Sequence, residues 1–155
     1  MPLTLALTEA HSEIIGVEPL QKLIDCYVEA FPDLNLLADV VIVKPEEMQE
    51  INHEQRSIDE PTDVLSFPTL LGMDAIRTQS AEADEPTLIG SIIICPEKVA
   101  DYDETMIQMV HHGLVHLLGY DHDTDFPAWM SEEKRILDIF ERHQLFIPPV
   151  PYESV

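Results

Sequence analysis

The sequence predicts an α+β fold: one domain in which a small mixed β-sheet is packed with helices around a central, buried helix. Three observations predict it. Apolar segments of strand length and of helical spacing follow one another in the order strand, helix, strand, helix, strand, strand, helix, helix. The 155 residues, 45% of them hydrophobic, suffice for a single core and not for two. One stretch, Met106 to Leu118, is apolar on nearly every side except at its histidines, as a helix at the centre of a core would be.

Leu3 to Leu7 alternates apolar and small residues, as an opening strand does. From Pro19 to Phe31, Leu20, Leu23, Ile24, Tyr27, Val28 and Phe31 fall on one helical stripe, and Pro32 closes it. Val40 to Val43 is a buried-strand run. Pro45 opens a second helix with Glu46 and Glu47 in its first turn, ending near Arg56. Pro61 to Pro68 is a short apolar strand bracketed by prolines. The acidic, Ala/Ser/Asp-rich stretch that follows, residues 69–87, is expected to be a mobile loop. Thr87 to Cys95 is the most hydrophobic strand. Pro96 starts a helix that continues, after a break near Asp101 to Asp103, into the histidines. Trp129, Ile136, Leu137 and Phe140 mark a final helix, and residues 146–155 are expected to form a flexible tail. The whole of 1–155 is thus one domain.

Composition excludes several classes. No apolar run reaches bilayer length, and the N-terminus lacks a basic segment with a signal-type apolar core. Cys26 and Cys95 are isolated and form no Cys-x-x-Cys pair, as expected of buried thiols in a reducing cytoplasm. The expectation is a soluble, cytoplasmic protein. Thirty Asp and Glu against eight Lys and Arg give a formal net charge of -22. Such a surface repels polyanions at long range and offers no basic stripe.

The chemistry concentrates in His111-His112-Gly113-Leu114-Val115-His116-Leu117-Leu118-Gly119-Tyr120-Asp121-His122. His112 and His116 are spaced i, i+4, so both imidazoles leave one helical face. Gly119 lets the chain turn back, and His122 just past it can reach the same point. A histidine on an apolar face is ordinarily core packing. Three converging imidazoles with no fourth protein ligand instead describe a catalytic zinc site with an open position. Nickel, copper or iron suit the same ligands, and Cys95 stays open as a fourth ligand brought in by the fold. The His-x3-His-x2-Gly-x2-His spacing is that of metzincin proteases, but Gly113 replaces their general-base Glu. His111 lies about 100° away around the helix, a neighbour at the mouth of the site and not a ligand. Arg56, the only Arg or Lys between Lys44 and Arg77, could clamp a phosphate or carboxylate. On residue chemistry alone, a surface ion pair with Asp59 or Asp63 is the favoured account of it.

The histidine block, together with Pro61-Thr62-Asp63-Val64-Leu65-Ser66-Phe67-Pro68, Asn52, Arg56 and Gly90-x-Ile92-x-Ile94-Cys95-Pro96, resembles the bacterial YbeY family of rRNA maturation endoribonucleases. The resemblance implies a compact α+β fold with one zinc held by His112, His116 and His122. It also implies a catalytic role for Arg56 as a phosphate contact, and the small ribosomal subunit and its RNA as partner and substrate. Maturation of the small-subunit rRNA 3′ end and ribosome quality control would be the setting. Ser91 stands where the family usually has Asp. The acidity suggests action while docked on a ribosome or a ribosome-associated protein. The expected reaction is metal-assisted cleavage of phosphodiesters in single-stranded RNA, with His112 and Arg56 catalytic. Asp121 would orient a ligand imidazole and His111 would shuttle a proton. Two rivals stand beside it: a metallopeptidase or amidase, and a non-catalytic assembly factor with a structural metal.

Overall fold

Hydrogen bonding between β1 (Leu3–Ala6), β2 (Leu36–Ile42), β3 (Val64–Pro68) and β4 (Thr87–Ile94) makes a four-stranded sheet of order β1-β2-β4-β3. The computed structural model describes residues 3–82, 84–121 and 124–148. β1, β2 and β4 run parallel, and β3 is an antiparallel edge strand. Parallel neighbours need long crossovers. α1 (Glu9–Ile15) and α2 (Val17–Ala30) supply the first; α3 (Pro45–Arg56), β3 and α4 (Met73–Glu82) supply the second. α5 (Pro96–Asp101), α6 (Met106–Leu117) and α7 (Phe126–Arg142) complete the chain.

Period-two patterning sets the faces of the sheet. Leu36, Ala38 and Val40 of β2 and Ile92 and Ile94 of β4 point into the main core, with Leu20, Leu23, Val110, Leu114 and Phe140. A smaller cluster of Val43, Met48, Leu65 and Cys95 lies beneath α3. α6 is the buried centre, with ten of its twelve residues inaccessible. Its first turn is closed reciprocally: Thr105 Oγ1 accepts from the Gln108 amide, and the Gln108 side chain accepts from the Thr105 amide. The expected break before it is real, at Asp103, whose φ is 57°.

Two expectations are corrected. The stretch 69–87 is not simply loop, because it contains α4. Ile76 of α4 is wholly buried and Met73, three residues before it, packs against the same core, so the two anchor an otherwise polar helix. Ser80 Oγ accepts from the Asn35 amide at 3.1 Å, and Arg77 pairs with Asp33 at 3.3 Å, tying α4 to the approach to β2. The start of the tail is docked as well: Ile147 is buried, and Gln108 Nε2 donates to the Pro148 carbonyl at 2.7 Å. Residues 149–155 of the expected tail lie outside the described residues. α1 was not anticipated from periodicity. It is short, and Thr8 caps it through the His11 amide.

Candidate active site

A cleft of about 590 Å³ opens between α6, the β3 edge and the turn that follows α6. His112 and His116 form part of its lining, and their Nε2 atoms stand 3.2 Å apart. Two nitrogens bound at ~2.0–2.1 Å to one tetrahedral cation stand roughly 3.3–3.4 Å apart, so the pair fits a shared metal. Trp129 of α7 packs against both rings, with centroids at 5.1 Å from His112 and 4.9 Å from His116, and fixes their orientation. His122, the expected third ligand, lies outside the described residues.

The residue after the first histidine cannot be a base of any kind. A Cβ on Gly113 would meet Ile92 side-chain atoms at 2.7, 2.9 and 3.0 Å, so α6 lies directly on β4 at this point. The missing Glu is therefore dictated by packing. Gly119, at φ 101°, turns the chain back after α6. Its own Cβ would lie 2.6 Å from the Gly72 Cα, so the segment before α4 presses against the histidine turn. Leu70 and Leu71 of that segment line the cleft.

Arg56, the last residue of α3, reaches the same cleft and is the only Arg or Lys among its described lining residues. The ion pair considered for it does not form among the described residues. Asp59 Oδ1 accepts from Gln49 Nε2 at 3.0 Å, and Asp63 is buried with its Oδ1 on the Val64 amide. Six of the eight Lys and Arg, namely Lys22, Arg77, Lys98, Lys134, Arg135 and Arg142, stand within 4.0 Å of a carboxylate; Arg56 does not. Asn52 helps place it. The buried Asn52 side chain donates to the Glu60 carbonyl at 2.7 Å and holds the loop that leaves α3 just beyond Arg56.

Asp121 lines the cleft beside the histidines, where a carboxylate can orient an imidazole. Tyr120 lines it too, but burial and then a hydrogen bond to Glu132 push its hydroxyl up to about 12, so it stays neutral. His111 is corrected: it is not at the mouth of the site. It is buried on another face of α6, its Nδ1 3.0 Å from the Tyr27 hydroxyl and its ring edge-on to Phe140. Burial holds it down to about 3, so it is a neutral core residue without a path to the cleft. Cys95 is corrected as a ligand candidate: it is buried beneath α3 in the smaller core, its Sγ directed to Glu97 at 3.7 Å. Ser66, Leu71 and Tyr120 join the cleft without having been singled out. Ser66 lay inside a recognised motif, whereas Leu71 lay inside the supposed loop and carried no local signal.

The family model described as endoribonuclease YbeY matches residues 9–141. Endoribonuclease YbeY of Sulfurovum sp. (strain NBC37-1) is 33% identical over 135 residues, covering 81% of this chain and 83% of that protein. Endoribonuclease YbeY of Aliarcobacter butzleri (strain RM4018) is 34% identical over 111 residues, covering 66% of this chain and 72% of that protein. The fold is similar to the solution structure of TM1509 from Thermotoga maritima, with a TM-score of 0.51 and 24% identity, covering 92% of this chain and 90% of that one.

Proposed function

The chain belongs to the YbeY family of endoribonucleases, and from that premise we propose that it is a metal-dependent endoribonuclease of ribosomal RNA maturation. Its substrate would be single-stranded RNA at the 3′ end of the small-subunit rRNA. Action on the small ribosomal subunit, with a part in ribosome quality control, follows from the same resemblance. One observation carries the proposal: two imidazoles with Nε2 atoms 3.2 Å apart share a cleft with a guanidinium that no described carboxylate neutralises.

His112, His116 and His122 would hold one cation per chain, zinc by ligand chemistry with nickel as the alternative. When bound, such a cation supplies Lewis acidity toward a phosphoryl oxygen or water. Arg56 presents a planar fork of donors to the phosphate and stabilises the negative charge that develops as the phosphodiester is cleaved. Asp121 accepts from an imidazole and keeps its metal-binding nitrogen aimed at the cleft. Trp129 excludes water behind the two rings. Gly113 leaves no place for a metzincin-type Glu, which counts against the peptidase alternative.

The test has two arms. Metal content by mass spectrometry, on protein purified without a His-tag, should be one equivalent in the wild type and be lost in His116→Ala. Cleavage of a small-subunit rRNA 3′ precursor should fall by about 10²–10³ in Arg56→Ala with metal content unchanged, the size of losing one transition-state donor. A folded, metal-free wild type would overturn the metal centre. Undiminished cleavage by Arg56→Ala would overturn the role of the guanidinium.

A further inference from the structure

Asp63 immediately precedes β3, and Glu104 immediately precedes Thr105, the N-cap of α6. The two carboxyls therefore sit where the cleft's wall and its histidine helix both begin. Asp63 is wholly buried. Its Oδ1 accepts from the Val64 amide at 2.8 Å and the Thr62 hydroxyl at 3.1 Å, while its backbone carbonyl accepts from the Cys95 amide at 2.9 Å. Both of those side-chain hydrogen bonds converge on one oxygen. The other oxygen, Oδ2, is sealed from solvent and meets no donor, and both Glu104 carboxyl oxygens are sealed in the same way. Yet the two side chains are hydrogen-bonding neighbours. Two carboxylates have no donor between them, so the contact is a bond only when one carries a proton.

We propose that Glu104 holds a proton at neutral pH and donates it to Asp63 Oδ2, and that this bond fixes the start of β3 against the start of α6. Both are then positioning residues for the cleft. The choice of Glu104 as donor follows from the two hydrogen bonds that already hold Asp63 Oδ1. Burial first, and Asp63 second, push the Glu104 carboxyl up to about 8. Charged groups on the surrounding elements do not alter this. Glu97, Asp103, Asp59 and Glu60 are exposed, Lys98 is paired with Asp101 at 3.5 Å, and only Asp63 acts on Glu104. A divalent cation between the two is disfavoured, because it would need about six to eight oxygens where two side chains offer three.

The sign of the linkage follows. Folding raises the Glu104 carboxyl from 4.5 to about 8, so its contribution to stability is whole below the lower value and lost as pH rises to the upper one. Between roughly pH 6.5 and 8, ordinary carboxylates are ionised and ordinary histidines neutral. There the folding equilibrium constant should fall by up to about tenfold per pH unit.

The experiment follows the Glu104 carboxyl carbon by NMR in the full chain across this range, together with urea unfolding of the wild type and Glu104→Gln. We expect a midpoint near 8, concerted shifts of the Leu65 and Ser66 amides in β3, and a stability slope that Glu104→Gln abolishes because its amide can donate to Asp63. A midpoint below about 6, near the ordinary Glu value, overturns the proposal, as does a slope retained in Glu104→Gln. β3 amides that stay still while Glu104 titrates overturn the positioning role, and a midpoint that drops on adding millimolar magnesium identifies a cation site instead. Should Glu104→Gln not fold, the wild-type titration and the β3 amides decide. The proposal rests on the endoribonuclease reading only in treating this cleft as the reaction site; none of these measurements uses RNA, so the two can fail separately.

Discussion

At the scale of single residues, three adjacent positions on α6 have three different roles because of what each faces. His112 looks into the cleft, Gly113 onto Ile92, and His111 into the core beside Tyr27 and Phe140. His111 Nε2 has no hydrogen-bond partner among the described residues, so the Tyr27 contact is its one polar tie. Tyr27→Phe would leave both ring nitrogens unpaired and should lower stability by about 1–3 kcal/mol. Metal content and RNA cleavage at permissive temperature should be unchanged. Chemical denaturation beside a metal assay checks this; loss of cleavage without loss of stability would return His111 to the mechanism. Spacing put His112 and His116 on one face and His111 on another, because 100° around a helix separates faces. Where that other face pointed depended on α2 and α7, which are distant in sequence.

At the scale of elements, the contact between α6 and β4 sets the depth of the site. Replacing a helical glycine with Ala normally gains about 1 kcal/mol of helix propensity. At Gly113 the new Cβ would stand 2.7 Å from Ile92 Cγ2, a branch atom close to the strand backbone that cannot swing away. Overpacking of this kind costs about 1–3 kcal/mol, so Gly113→Ala should be net destabilising. Combining it with Ile92→Ala should cost less than the sum of the two single changes. A double-mutant cycle by urea unfolding measures the coupling, and strict additivity would show that the helix does not rest on this strand. Strong elements were legible from pattern: α2, β4 and α7 each carry a full apolar stripe or run, and α3 is marked at its start by Pro45 with Glu46 and Glu47 in the first turn. α4 was not, because Met73 and Ile76 are its only large apolar residues and the rest of the segment reads as solvent-facing loop.

At the scale of the molecule, charge is the dominant fact. A net charge of -22 on 155 residues, with most Lys and Arg already matched to carboxylates, repels RNA at distances beyond the cleft. Raising ionic strength from about 10 to 150 mM shortens the screening length from roughly 30 to 8 Å. RNA cleavage under kcat/KM conditions should therefore rise over this range, opposite to the salt dependence of a basic nucleic-acid binder. A steep fall would mean that a local positive field, centred on Arg56, governs encounter.

The sequence by itself determined what local pattern controls: the α+β class, the helix carrying His112 and His116 on one face, and the absence of a protease-type base at Gly113. These follow from helical and strand periodicity and from the identity of one residue, none of which needs a distant partner. Residue chemistry alone suggested a surface ion pair for Arg56 and the family resemblance a phosphate contact; the tertiary structure decided between them by bringing the end of α3 to the cleft of the histidines. It also decided that the supposed loop contributes a helix and part of the cleft, and that Asp63 and Glu104, 41 positions apart, come together in the interior. Long-range burial determines which polar groups lose water and which partners they then find, and no local spacing encodes that.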